Sequence, residues 1–264
     1  MLEDFPRWRR HSPMSDPGGG AALYDLLPND EAALCRAVQG LIVHADWASA
    51  YGLPETHFGP DARTTLPLER RLAEIVRADK RPLTAPRPVP ARTPGTCRDY
   101  ALMLCSVLRH RRIPARVRCG FATYFDAPWE DHWLCEFWQA RDGRWRRMDA
   151  QLDEVQQRLL GVDFDISDVP AEKFITAGEA WRRCRAGADD THFGHGETKG
   201  LWFVRVNVMR DHYSLNRSEL SAWDGWRQAG EPHRSVCDAD RRATDALAWQ
   251  PDAAKVEIAP PWLG

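Results

Sequence analysis

The sequence holds no apolar run of membrane-spanning length, carries almost no excess charge and shows no internal repeat, and each lack removes a class of protein. Thirty-six Lys and Arg against 38 Asp and Glu leave a net charge of -2, which excludes a globally basic nucleic-acid binder. Met1-Leu2-Glu3-Asp4 has neither the basic nor the apolar region of a secretory leader. Seven cysteines are an odd count in a chain of 264 residues, which is too long to need disulfide staples. The expectation is a cytoplasmic protein with reduced thiols, no membrane and no nucleic-acid partner. What is present is an ordinary globular composition, 43% hydrophobic and 28% charged, together with twelve tryptophans that need a reason.

Residues 1–30 are rich in Pro, Gly and Asp and read as an arm or loop rather than an element, followed by one domain over 31–264. Asn29 or Asp30 can cap a helix running to Val38, with Leu34, Ala37 and Val38 on one face. Leu68, Leu72, Ile75 and Val76 recur at helical spacing over Pro67 to Ala78. Five prolines between Lys80 and Thr96 then make an extended connector. Thr96 and Asp99 form a capping box, so a helix starts at Cys97, with Ala101, Leu104, Cys105 and Leu108 as its apolar face. It ends in Arg109-His110-Arg111-Arg112, taken as a solvated helix end, and Pro114 forbids continuation. Alternation predicts a strand over Ala115–Phe121, then strands His132–Gln139 and Arg144–Ala150 around a tight Asp142-Gly143 turn. Leu201 to Val208 reads as a further strand, and Asn216 or Ser218 as the cap of a short helix to about Arg227; the chain beyond Gly230 is weakly specified.

Chemistry points first to Cys97. A thiol at a helix N-terminus meets the positive end of the macrodipole and free N–H donors, which favour its anion and can hold the oxyanion formed when it attacks a carbonyl. A nucleophile needs a base and a base needs an orienter; His132 and Asp149 follow on two neighbouring strands. A two-residue turn at 142–143 places Asp149 opposite Glu136 and Asp153 opposite His132, so Asp153 competes as orienter. The other cysteines, Cys35, Cys105, Cys119, Cys135, Cys184 and Cys237, read as small packing residues. His192-Phe193-Gly194-His195 beside Asp189 and Asp190 offers no third spaced metal ligand and reads as a solvated loop, so no metal or other cofactor is expected. Most tryptophans, including those at 133, 138 and 145, read as core. Trp129 is the exception, because the loop Ala127-Pro128-Trp129-Glu130-Asp131 leads into His132 and can wall a cleft around a substrate.

Three blocks resemble the transglutaminase-like superfamily of papain-like cysteine enzymes. They are Gly95-Thr96-Cys97-Arg98-Asp99-Tyr100-Ala101 with Ile113-Pro114-Ala115-Arg116-Val117, then His132-Trp133-Leu134-Cys135-Glu136, then Trp145-Arg146-Arg147-Met148-Asp149. The resemblance covers about residues 92–153. It implies an α+β fold with a papain-like core, N-terminal helices on an antiparallel sheet, Cys97 as nucleophile, His132 as general base and acid, Asp149 holding the imidazole, and no catalytic metal. It favours Asp149 over Asp153 through the Trp-x-x-x-Asp spacing. The expected function is acyl transfer through an acyl-cysteine, from an amide- or thioester-bearing substrate to water or to an amine. The chain shows none of the extra sandwich domains of animal crosslinking enzymes, which turns the expectation to amide hydrolysis or small-molecule amide formation. With no carrier attachment signature of its own, a thioester donor is expected from a carrier-protein partner. The rival is a non-catalytic binding or scaffold protein on the same fold. Pocket shape is expected to depend on the loop at Trp129, the Trp202 strand and the segment Trp223-Asp224-Gly225-Trp226.

Overall fold

A computed structural model describes residues 5–219 and 236–249. In chain order the elements begin with α1 (Phe5–Trp8), α2 (Glu31–Gln39), β1 (Ile42–His44), α3 (Leu68–Ala78), β2 (Thr93–Gly95) and α4 (Cys97–His110). They continue with β3 (Ala115–Ala122), β4 (Trp129–Gln139), β5 (Arg144–Met148), α5 (Glu154–Leu160), β6 (Phe174–Thr176) and α6 (Ala177–Arg185). The last are β7 (Phe193–His195), β8 (Thr198–Lys199), α7 (Leu201–Leu215) and α8 (Asp238–Trp249). The fold is α+β, mixed helices and sheet. No helix among the described residues is long and apolar enough to cross a membrane.

The chain divides into two compact units. The first comprises residues 5–117 and 134–170. Its centre is α4, in which every residue from Arg98 to Arg109 is buried, against α2, α3 and the parallel pair β1–β2. This unit also holds the start of β3 and the antiparallel pair β4–β5. The N-terminal segment is more than an arm: it forms α1 and a 3-10 turn at Gly18–Tyr24, and buries Trp8, Ser12, Ser15 and Tyr24. The basic helix end explains this. Arg109 is buried rather than solvated, donating from Nε to the Ala115 carbonyl at 3.0 Å and from Nη1 to Ser15 Oγ at 2.9 Å. Arg111 donates to the carbonyls of Leu27 and Pro28, both at 2.8 Å. A run of cations at the end of α4 thus ties down a segment with little apolar surface of its own.

The second unit comprises residues 118–133, 171–219 and 236–249. β3 pairs with β6 and β7 with β8 in antiparallel fashion, whereas β4 pairs with β7 in parallel, so the sheet is not purely antiparallel. Helices α6, α7 and α8 pack on one another around Phe121, Trp181, Phe193 and Phe203. Leu201–Val208, expected as a strand, is the first half of α7. A continuous apolar run does not distinguish a strand from a helix buried on several sides, and α7 is such a helix. Among its polar residues, Asn207, Arg210 and Asp211 lie on one stripe at helical spacing. Asp211 accepts from Arg118 Nε at 2.9 Å and Nη2 at 2.8 Å, and from the Cys119 N–H at 2.9 Å, satisfying β3 beyond its pairing with β6. Asn216 is the C-cap of α7 rather than the start of another helix. The remainder of that expected helix, from residue 220, and the Trp223–Trp226 segment lie outside the described residues.

Candidate active site

Cys97 is the first residue of α4 and half-buried. The capping box read from the sequence is present: the Thr96 N–H donates to Asp99 Oδ2 at 2.7 Å. Asp99 Oδ1 takes Arg71 Nη2 at 2.7 Å, and both side chains are buried. Arg71 Nη1 also reaches the Pro94 carbonyl at 2.9 Å and Thr93 Oγ1 at 3.3 Å. One guanidinium therefore grips β2 before Cys97 and the first turn of α4 after it. Gly95 is required by the same packing, since a Cβ there would lie 2.9 Å from Asp99 Oδ2.

Asp149 follows β5 in the same unit and is buried. Its N–H donates to the Ile166 carbonyl at 2.8 Å, and its Oδ1 accepts the Gln151 N–H at 3.0 Å. The expected tight turn is instead a four-residue connection, 140–143, with Gly143 at φ 61°. Glu136 consequently pairs with Arg147 rather than Asp149, and Cys135 with Met148. Continuing that register sets Asp149 level with Leu134, two residues along β4 from the position counted from sequence. Asp153 is engaged elsewhere: its Oδ1 caps α5 by accepting from the Val155 and Gln156 N–H groups, and its Oδ2 accepts the Tyr51 hydroxyl at 2.8 Å. Burial, then the Asp153 charge, push the Tyr51 hydroxyl pKa up, which keeps it a donor. Gln156 donates to Tyr51 and accepts from Gln151, so side chains brace the 149–153 loop from below.

His132 lies in the second unit, on β4, and is buried. Tyr124 meets its ring edge-on at 5.7 Å between centroids and Phe125 lies tilted at 4.9 Å. Trp129, expected in a loop, is the first residue of β4, opposite Phe193. It stacks on that ring at 6.0 Å with 12° between planes, under the guanidinium of Arg183 at 5.1 Å, and packs against the core of its unit. The neighbours of His132 are charged groups that the motif reading did not single out. Asp131 accepts from Arg210 Nη1 at 3.4 Å, and the same nitrogen donates to Asn207 Oδ1 at 2.8 Å. Glu130 takes His195 Nδ1 at 3.0 Å and the Ala127 N–H at 3.4 Å. His195 thus belongs to strand β7 and a carboxylate pair, not to a solvated loop.

Burial opposes the charge of Glu130, but the His195 contact, the Ala127 N–H and the charge of His132 outweigh it and hold its pKa below the ordinary carboxylate value. A depressed carboxylate contributes stability that is present above its unfolded pKa and is lost as pH falls through the folded one. Glu130→Gln is therefore expected to destabilise the protein more at pH 7 than at pH 3. Urea midpoints at the two pH values check this, and an equal loss at both would refute it.

Of the remaining cysteines, Cys35, Cys105, Cys119 and Cys135 are buried as packing residues should be, Cys184 is half-buried and Cys237 is exposed, which packing does not explain. The candidate residues thus divide as Cys97 and Asp149 in one unit and His132 in the other. Arg71, His195 and Arg210 were not legible as neighbours, since nothing in local spacing names a partner far along the chain. No curated protein and no solved structure matches the chain. Residues 71–150, from the arginine that clamps the start of α4 to the residue after Asp149, match the model of the Transglutaminase-like superfamily, and this is the family the sequence blocks resemble.

Proposed function

We propose that the protein is a thiol-dependent acyl-transfer enzyme in which Cys97 is the nucleophile, His132 the general base and acid, and Asp149 the orienter of His132. The observation that carries this reading is Cys97 at the capped start of α4 inside the segment that matches a family of generally cysteine-dependent enzymes. The engagement of both Asp153 oxygens by a helix cap and a tyrosine supports Asp149 for the third role.

His132 takes the Cys97 proton and the sulfur attacks the carbonyl carbon of an amide or thioester. The first-turn N–H of Cys97, which has no acceptor within the helix, stabilises the oxyanion. The tetrahedral adduct collapses with cleavage of the bond to the amine or thiol, which leaves with the proton held by His132. In the second half His132 removes a proton from water or an amine, the acceptor attacks the acyl carbon, and the C–S bond breaks to restore Cys97. Water makes the enzyme an amidase or peptidase; an amine makes it an amide-forming catalyst in small-molecule biosynthesis. A thioester donor arrives on a carrier protein. Trp129 lines the substrate side of His132 in this reading.

Intact mass spectrometry after mixing with candidate amide and thioester donors should show a mass increase equal to the acyl group, on Cys97. Added amine then decides the acceptor: a product containing it identifies the transferase, and one that never contains it the hydrolase. Donors that leave Cys97 unmodified while the protein still binds its ligand would instead favour a non-catalytic binding protein.

A further inference from the structure

A cavity of about 710 Å³ lies within the first unit, and Cys97 is not among its lining residues. The volume falls in the range of small-molecule sites. Helix α2 forms one wall. Ala33, Ala37 and Gly40 recur along it as small residues, and a Cβ on Gly40 would lie 2.9 Å from Pro86 Cα, so the floor is shaped by close backbone approach. The opposite walls are held in place before any ligand arrives. Arg111 ties down the carbonyls of Leu27 and Pro28, while Arg87, itself buried, gathers those of Asp79, Arg81, Pro82 and Ala85.

Four polar side chains of the lining keep unused hydrogen-bonding capacity, Arg36, Gln39, Thr84 and Glu154, and the first two stand on α2. The exposed Arg36 side chain has no salt bridge or hydrogen bond among the described residues. Gln39, 8% exposed, spends its Nε2 on the Leu152 carbonyl at 3.0 Å, and its Oε1 has no donor among the described residues. Three residues apart on α2, they are neighbours on the helix surface. The other charged residues of the lining are Arg92, Asp153 and Glu154. Arg92 and Asp153 face each other at 3.5 Å, and Asp153 is further occupied by α5 and Tyr51. Glu154 remains as an acidic rim, which disfavours a multiply charged anion such as a phosphate.

From this arrangement we infer that the cavity is a binding site for an N-acylated amino acid, distinct from the thiol site. The single carboxylate pairs with Arg36, the amide N–H donates to Gln39 Oε1, and the apolar side group lies against Leu26, Pro28 and Pro86. Leu26, at 67% exposure, is the large apolar residue such a ligand would cover. The inference does not depend on the role of Cys97.

The test is calorimetric titration with N-acetyl-L-leucine and with its methyl ester, against the wild type, Cys97→Ala, Arg36→Ala and Ala37→Phe. The wild type and Cys97→Ala should bind the acid saturably and equally. Arg36→Ala, an exposed position, and the ester should each weaken binding by about tenfold or more, as loss of a charge-assisted contact does. Ala37→Phe, which fills the cavity and keeps the cation, should also remove it. Absence of saturable binding at millimolar concentration, or binding indifferent to Arg36 and to esterification, overturns the assignment. Binding lost in Cys97→Ala overturns it as well, since it would place the ligand at the thiol.

Discussion

Cys97→Ala is expected to lower acyl transfer by about 10⁴-fold or more, because without the sulfur no acyl-enzyme forms and only binding and oxyanion stabilisation remain. Among the other thiols, burial holds back all but Cys237. Burial, with the Asp149 charge adding to it, pushes the Cys35 pKa up, and burial followed by contact with Cys105 does the same to Cys135. Cys184 is pushed up to about 12 by burial and by the charge of Asp190. Cys119 is buried and donates to Asn207 Oδ1 at 3.1 Å. Cys105 is buried as well, so access is left to Cys97, which is half-buried, and Cys237, which is exposed. Iodoacetamide at neutral pH should label these two first, and mass mapping of digested protein reads the order. Cys237→Ala should remove one rapidly labelled site and leave turnover intact, whereas Cys97→Ala should remove the other and turnover with it. Activity that survives in Cys97→Ala would refute the nucleophile assignment outright.

The helix that carries Cys97 was legible because its signals are local: Thr96 and Asp99 lie three apart, and Pro114 forbids any extension beyond the basic end. The strands β3, β4 and β5 were legible for the same reason, since alternation is a property of a few neighbouring residues. Register was not. The Asp-Gly pair signals a turn, but Gly143 closes a four-residue connection, and the two extra residues move Asp149 along β4. Helix α7 was misread because Val204, Val206 and Val208 favour a strand locally, while burial and the Asp211 contacts to β3 decide the matter from outside the segment. Arginines hid the most. Arg109 reaches Ser15 across 94 residues, so a run that looks like a solvated helix end is an anchor. Arg71 reaches Asp99 across 28, and no spacing rule connects them.

That last pair carries the largest expected effect on folding. Asp99→Asn keeps the shape and the acceptor for the Thr96 N–H but leaves Arg71 buried without its counter-charge, which should cost about 3–5 kcal/mol. Arg71→Met strands Asp99 in the same way and also frees the Pro94 carbonyl and Thr93 Oγ1. The double variant Arg71→Met/Asp99→Asn removes both charges together and should be more stable than either single one, because the penalty in each single variant is the orphaned ion rather than the lost attraction. Urea unfolding of the four proteins measures this cycle. A loss below about 1 kcal/mol in Asp99→Asn, or a double variant whose loss equals the sum of the singles, would remove the clamp from the account. The clamp also bears on chemistry. Arg71 and Asp99 hold the backbone on both sides of Cys97, so Asp99→Asn, assayed where it is still folded, should form the acyl-enzyme more slowly than the wild type. The double variant should recover stability without recovering that rate, since the guanidinium that joined β2 to the first turn of α4 is gone.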